Sequence, residues 1–115
     1  MVPFDSASTE ASIRHFIASD DIGFFVSGDI NGLIVAIMVP VYFNSSRKMA
    51  MELCWYSESP RTGLKLLSEA EKWAADKGCA VWMVGTQATS ASRLEAVYAR
   101  KGYKPFSRGY LKELN

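Results

Sequence analysis

The chain has 115 residues, 49% of them hydrophobic and 22% charged, and its formal net charge is +1. This length suits a single domain, residues 1–115, with a core of its own. The near-neutral charge weighs against a nucleic-acid partner, which a broad basic face would bind. The single histidine excludes a multi-histidine centre, so we predict no metal site.

The first predicted element is a helix over residues 8–19. Apolar residues follow Ile13 at the third and fourth positions, the spacing that places side chains on one helix face. Ser6 or Ser8 is the expected N-cap, because a serine hydroxyl accepts a hydrogen bond from a free amide of the first turn.

Two strands follow, in the segments GFFVSGD and GLIVAIMVPVYF, joined around the sequence ING at 30–32. Asn-Gly between two apolar runs predicts a tight hairpin turn in which both turn residues have positive φ. Pro40 cannot donate a ladder hydrogen bond, so we expect a bulge or an unpaired edge there. The polar run 44–48 is predicted to be a turn, and 49–57 a third strand.

A strand–helix–strand unit comes next. Residues 61–77 predict an amphipathic helix that ends at Gly78. The run 79–85, CAVWMVG, is almost wholly apolar, which is typical of a strand that is covered on both faces in a parallel position. The apolar stripe of the helix comprises Leu64, Leu66, Leu67, Ala70, Trp73 and Ala74.

A second helix over 92–102 and a strand-forming C-terminus complete the chain. Ser92 and Glu95 match an S-x-x-E capping box, and Gly102 is the expected end of the helix. Residues 103–114 predict one or two short strands. The order α-β-β-β-α-β-α-β predicts an α/β (α+β) fold, a mixed sheet with helices on both faces.

Cys54 and Cys79 lie in apolar runs without the CxxC spacing of a metal or redox site. We interpret them as buried free thiols in a reducing compartment. The N-terminus MVPFDSASTE lacks the basic start and apolar core of a secretory signal, and the longest apolar run, 32–43, is too short for a membrane-spanning helix. We therefore expect a cytoplasmic protein with no membrane partner.

From residue 49 onward the sequence resembles the GNAT superfamily of N-acetyltransferases. Three segments carry the resemblance: the acidic strand MELCWY, the turn and helix PRTGLKLLSEAEKWAADKG, and VYARKGYKP, which is similar to the family segment LYxKxGF. The resemblance implies a mostly antiparallel sheet with a central, splayed parallel strand pair and a shortened N-terminal part. Short members of this kind occur in bacteria and their phages.

The resemblance also implies acetyl-CoA as cosubstrate, with its diphosphate at the start of helix 61–77. A helix N-terminus offers unpaired amides, here those of Thr62 and Gly63, and Arg61 and Lys65 add positive charge. The alternative is a plain helix start capped by Ser59. Further cofactor contacts are expected from Cys54, Trp55, Tyr56 and Ser92.

Glu52 is the candidate base, since it is an acid inside an apolar strand, where burial raises a carboxyl pKa toward neutrality. Strand alternation places Met51, Leu53 and Trp55 on one face and Glu52, Cys54 and Tyr56 on the other. The alternative is a glutamate that faces solvent or pairs with Arg47 or Lys48.

Tyr98 matches the tyrosine of the family segment, which implies a general acid that protonates the departing thiolate. Its helical spacing with Leu94 and Val97 equally fits a core residue. The implied acceptor is a primary amine, either a small molecule or a protein lysine or N-terminus, and a homodimer is expected. The alternative function is a non-catalytic GNAT-like binding or structural protein, with derivation from a phage as one origin.

Overall fold

The computed structural model of the chain describes residues 2–85, 91–106 and 109–114, without the side chains of 91–93. The chain forms two compact units, one of residues Phe4–Val84 and the other of Gly85–Asn115 with Met1–Pro3. The elements are α1 (Ser6–Ala18), β1 (Ile22–Val26), β2 (Gly32–Val41), β3 (Asn44–Ser57), α2 (Pro60–Asp76), β4 (Val81–Met83) and α3 (Ala91–Arg100). Within the described residues, no helix is long and apolar enough to cross a membrane.

Helix α1 begins two residues earlier than predicted because Asp5, and not Ser6 or Ser8, is its N-cap. The Asp5 carboxylate accepts a hydrogen bond from the Ser8 amide at 2.8 Å. Hydrogen bonds from Ser8 hold the Asp5 pKa below its ordinary value, because they stabilise the ionised form. No residue of α1 is buried.

The hairpin between β1 and β2 has a five-residue loop, 27–31, so the predicted two-residue Asn-Gly turn is wrong. The Ser27 hydroxyl closes this loop by bonding the side chain and the amide of Asn31, at 2.6 and 3.0 Å. Positive φ falls on Ile30, at 56°, instead of on the Asn-Gly pair. Gly32 is buried in β2, where a Cβ would lie 3.1 Å from Leu66 Cδ1, so its small size serves packing against α2.

The sheet has the order β1-β2-β3-β4, with the first three strands antiparallel and the β3–β4 pair parallel, as predicted. A register irregularity follows Pro40, which confirms the expected bulge. The β2–β3 turn is Tyr42–Phe43, so the prediction of a turn at 44–48 is wrong and those residues begin β3. Residues 44–48 are exposed in β3, and a polar run can form a strand at a sheet end whose side chains face solvent.

A second irregularity lies in the middle of β3. Cys54 pairs with Val35 and Glu52 with Ala36, which leaves Leu53 as an extra residue on β3. Such a bulge changes the alternation of side chains. Glu52 and Cys54 therefore pair with adjacent residues of β2 and occupy opposite faces by register. The predicted face assignment is wrong across the bulge, whereas Cys54 and Tyr56 still share the face opposite Trp55, as predicted.

Helix α2 covers the sheet face that carries Ile34 and Ala36, both fully buried. The predicted stripe is confirmed in part, since Leu64 and Trp73 are only partly buried, and Trp73 contacts Phe25 edge-on with ring centroids 6.3 Å apart. Gly78, with φ +80°, ends the helix region as predicted. The buried residues of α2 are Gly63, Leu66, Leu67, Ala70 and Ala74.

Strand β4 has three residues, fewer than the seven predicted over 79–85. Val81 is 49% exposed, so the expectation of a strand covered on both faces is wrong. Both cysteines are free thiols, as predicted, but Cys54 is exposed and Cys79 only partly buried.

In the second unit, α3 ends as predicted at Gly102, whose φ is +86°. The Tyr103 amide donates to the Tyr98 carbonyl at 2.9 Å and closes the last turn. Neither 103–106 nor 109–114 contains a strand, so the predicted C-terminal strands are wrong over these residues. A strand requires a paired neighbour, which sequence alternation alone does not supply. The proposed capping box rests on the Ser92 side chain, which lies outside the described part.

Candidate functional site

The first turn of α2 is closed by its own residues. Ser59 is the N-cap, and its hydroxyl accepts a hydrogen bond from the Thr62 amide at 3.2 Å and donates to Thr62 Oγ1 at 3.0 Å. The Gly63 amide donates to the Ser59 carbonyl at 3.0 Å. Ser57 in turn bonds the Ser59 backbone through its hydroxyl. The structure thus has the helix start capped by Ser59 that the sequence allowed as the alternative to a diphosphate site.

This closure removes the expected seat of free amides at Thr62 and Gly63. Pro60, which follows the N-cap Ser59, has no N–H to donate to a ligand. Arg61 and Lys65 are exposed, and in the described residues neither side chain has an ionic partner. The helix start can therefore contact an anion through two cationic side chains, aided by the helix dipole, and not through a cradle of amides.

Gly63 is buried and serves close packing between α2 and β3. A Cβ at this position would lie 3.2 Å from Ser57 Cβ and 3.7 Å from Trp55 Cζ2. The indole Nε1 of Trp55 is buried beneath this contact and has no hydrogen-bond partner in the described part of the chain. An unpaired buried donor costs about 1–3 kcal/mol, so such groups are rare outside functional sites.

Strands β3 and β4 pair over a short length. The parallel ladder runs from Met49 opposite Val81 to Met51 opposite Met83. Beyond it, β3 continues to Ser57, and within the described residues β4 offers no pairing partner to residues 54–57. This stretch therefore has an open edge of backbone donors and acceptors, to which an extended ligand can hydrogen-bond.

Glu52 and Cys54 interact electrostatically across the bulge in β3. Although the residue as a whole is exposed, partial desolvation of the Cys54 thiol raises its pKa, and the Glu52 carboxylate raises it further. Because only the thiolate is a good nucleophile, this environment makes Cys54 a poor one near neutrality. Glu52 itself is partly buried, in agreement with its position on an otherwise apolar strand.

Tyr98 lies on α3, in the second unit. Its hydroxyl donates a hydrogen bond to the Gly85 carbonyl at 2.8 Å, and its ring lies 5.2 Å from that of Tyr103. The phenol proton is thus directed at a backbone oxygen in this structure. Ser92, the remaining predicted contact on α3, has a side chain outside the described part.

A cleft of about 280 Å³ that the sequence did not indicate lies between the β1–β2 loop and α2. Asp29 contributes one charge from the loop, and Lys65 and Glu69 contribute two from the helix. No local motif marks this cleft, because it exists only where the loop meets the helix. Among the described residues there is no cluster of three metal-ligating side chains.

No protein-family model matches the sequence, and no curated protein matches it either. Solved structures do match. A transcriptional regulator from Bacillus halodurans has a TM-score of 0.78 at 16% identity, covering 94% of this chain and 76% of its own. A Trypanosoma brucei acetyltransferase has a TM-score of 0.72 at 16% identity, covering 97% and 82%.

The structure of AAC(6')-Iy in complex with a CoA-containing bisubstrate analogue has a TM-score of 0.73 at 14% identity, covering 96% of this chain and 81% of its own. These similarities extend over nearly the whole chain. The chain has the GNAT fold. The fold expected from the sequence segments is thereby confirmed.

Proposed function

We propose that the chain is an N-acetyltransferase that moves an acetyl group from acetyl-CoA to a primary amine, which attacks directly in a ternary complex. The observation that carries the proposal is the open edge of β3 beyond Met51, at a parallel strand pair of a GNAT fold. Two structures similar to this chain are of AAC(6')-Iy, one with CoA and one with a CoA-containing bisubstrate analogue.

The residues at the start of α2 fit a diphosphate through side chains. Arg61 and Lys65 would contact the phosphates, and the amides of Thr62 and Gly63 become available only where Ser59 releases them. Guanidinium groups bind phosphate oxygens in a bidentate manner, which compensates in part for the closed turn. When bound, acetyl-CoA supplies an acetyl group activated as a thioester.

The strand would hold the extended arm of the cofactor. The backbone groups of Cys54 and Tyr56 face β2, where Glu58 also donates to the Asn31 carbonyl. On the open side, the backbone groups of Trp55 and Ser57 are therefore those that could hydrogen-bond amide groups of such an arm. The indole Nε1 of Trp55 is buried where α2 packs on β3, so the contact proposed for Trp55 is made by its backbone. Ser92 completes the proposed contacts. The proposal thus places the cofactor along a strand edge in the first unit.

Glu52 is the proposed base. An ammonium has no lone pair, so the acceptor must lose a proton before it attacks, and a carboxylate in a partly apolar setting can accept it directly or through water. Tyr98 is the proposed acid, and its hydroxyl must leave the Gly85 carbonyl to protonate a departing thiolate. The acceptor is proposed to be a primary amine, either of a small molecule or of a protein.

Calorimetric titration with CoA tests the cofactor contacts. Substituting both Arg61 and Lys65 by Ala is expected to weaken binding at least about tenfold, since hydrogen bonds to charged groups contribute about 1.5–3 kcal/mol. Lys72→Ala is the matched control, because Lys72 is an exposed lysine on the same helix that bonds Asp76 instead.

Release of free thiol from acetyl-CoA in the presence of an amine panel tests the activity. Glu52→Gln is expected to lower the rate at pH 7 by about 10²–10⁴-fold, the usual contribution of a general base. Absence of any heat with CoA at about 1 mM would remove the proposal. A GNAT-fold protein with a binding or structural role would then remain.

A further inference from the structure

The charges of the chain are divided unequally between its two units. Residues 85–115 carry six lysines and arginines against two acids, a formal charge of +4, and Met1–Pro3 adds no charged side chain. Residues 4–84 carry seven against ten, a formal charge of −3, so the two units together give the +1 of the whole chain. The near-neutral total thus conceals a basic second unit, and charge segregation of this kind suggests a polyanionic partner.

The positive charge of the second unit is concentrated in one stretch. Between Glu95 and Glu113 the sequence has five cations and no acid. The other acid-free stretches of comparable length, 30–51 and 77–94, have two cations each. Three cations of the basic stretch are exposed and have no ion-pair partner among the described residues, namely Arg100, Lys104 and Lys112.

Aromatic side chains are interleaved with these cations. Phe106 is 81% exposed and Tyr110 is 88% exposed, and in the described part of the chain neither ring contacts another ring. The backbone that carries them, over 103–106 and 109–114, forms neither helix nor strand. Both rings are therefore available to stack on a flat partner.

A polymer that alternates flat groups with anions complements this pattern. Single-stranded nucleic acid has one base and one phosphate per nucleotide, and proteins bind it by stacking aromatic rings on bases and neutralising phosphates with lysine and arginine. Lipid surfaces are bound by amphipathic helices, whereas the backbone around Phe106 and Tyr110 is not helical. We infer that the second unit binds single-stranded nucleic acid, with these two rings on bases and Arg100, Lys104 and Lys112 on phosphates.

Fluorescence anisotropy of a labelled deoxythymidine oligonucleotide of about 12 nucleotides tests the inference on the full chain. Replacing both Phe106 and Tyr110 by Ala is expected to weaken binding at least about tenfold, because each ring stacks on a base. The matched control replaces Tyr42 and Phe43 by Ala. These residues are 94% and 79% exposed in the first unit, so their loss should leave the affinity unchanged.

Salt dependence tests the phosphate contacts separately. Each contact to a single strand contributes about 0.7 to the slope of the logarithm of the binding constant against that of the salt concentration. Replacing both Lys104 and Lys112 by Ala is therefore expected to reduce this slope by about 1.4. Replacing Arg47 and Lys48 by Ala removes the same charge from exposed positions of the first unit and should leave the slope unchanged.

Other partners are tested in the same assay. Vesicles of equal parts phosphatidylserine and phosphatidylcholine are included because Leu111 and Leu114 are exposed as well, and poly-L-glutamate stands for an acidic peptide. Both are expected to compete more weakly than the unlabelled oligonucleotide. Absence of binding at about 100 μM protein and 50 mM salt, equal losses in the control variants, or stronger competition by vesicles or poly-L-glutamate would overturn the inference. Because this binding needs neither acetyl-CoA nor an amine, its failure is distinguishable from failure of the proposed acetyl transfer.

Discussion

Replacing Ser59 by Ala removes the side chain that closes the first turn of α2. Two hydrogen bonds of its hydroxyl are lost, one from the Thr62 amide at 3.2 Å and one to Thr62 Oγ1 at 3.0 Å. The bond from the Gly63 amide to the Ser59 carbonyl remains, since it belongs to the backbone. The perturbation is thus confined to one cap and leaves the packing of the helix intact.

The expected loss of stability is about 1 kcal/mol, the usual cost of replacing a serine N-cap by alanine. A chain of 115 residues has an unfolding entropy near 0.24 kcal/mol/K, so the melting temperature should fall by about 4 °C. Urea denaturation followed by far-UV circular dichroism measures the free energy directly. Ser12→Ala, at an exposed position inside α1, is the control and should change it by less than about 0.5 kcal/mol.

The same position separates capping from cofactor binding. Ser59→Asp retains a cap acceptor but adds a negative charge where a diphosphate is proposed to bind, whereas Ser59→Ala frees the Thr62 amide. We expect the aspartate variant to bind CoA at least about tenfold more weakly than the alanine variant. An alanine variant that unfolds at the unaltered midpoint would refute the capping argument.

Three further predictions concern the core and β3. Leu67→Ala should lower the free energy of unfolding, measured by urea denaturation, by about 2–5 kcal/mol, because Leu67 is fully buried. A decrease below about 1 kcal/mol would contradict its role in the core. Gly32→Ala should lower the free energy of unfolding by about 1–3 kcal/mol, since its Cβ would lie 3.1 Å from the Tyr56 carbonyl oxygen. Gly28→Ala is the control and should not lower it in this way, because a Cβ at Gly28 would meet no atom within 4 Å. Glu52→Gln should speed alkylation of Cys54 at about pH 8, because loss of the carboxylate lowers the thiol pKa. An unchanged rate would show that the two groups do not interact.

Periodicity identified the elements that bury an apolar face. The stripe of α2 and the parallel strand after it were predictable, because a 3.6-residue repeat and an apolar run each have few structural interpretations. The ends at Gly78 and Gly102 were predictable as well, since positive φ favours glycine. Segments without these signals were mispredicted, among them the C-terminal strands.

The candidate site was less predictable than the fold. Sequence could nominate Glu52 and Arg61 by residue type and by resemblance to the GNAT family. It could not show that Leu53 forms a bulge that places Glu52 and Cys54 on opposite faces by register, because a bulge depends on the pairing strand. Nor could it show that Ser59 occupies the Thr62 amide, since a cap and an anion compete for the same donors.

Local patterns by themselves determined which residues form helix α2, where α2 and α3 stop and which strands pair in parallel. These features follow from backbone preferences and from burial of a periodic apolar face, and both are encoded within a few neighbouring residues. Only the tertiary structure decided the length of β4 and, among the described residues, which part of β3 lacks a paired neighbour and that the Trp55 indole nitrogen lacks a hydrogen-bond partner. Each of these depends on groups distant in sequence, whose contacts form only when the sheet and α2 pack together.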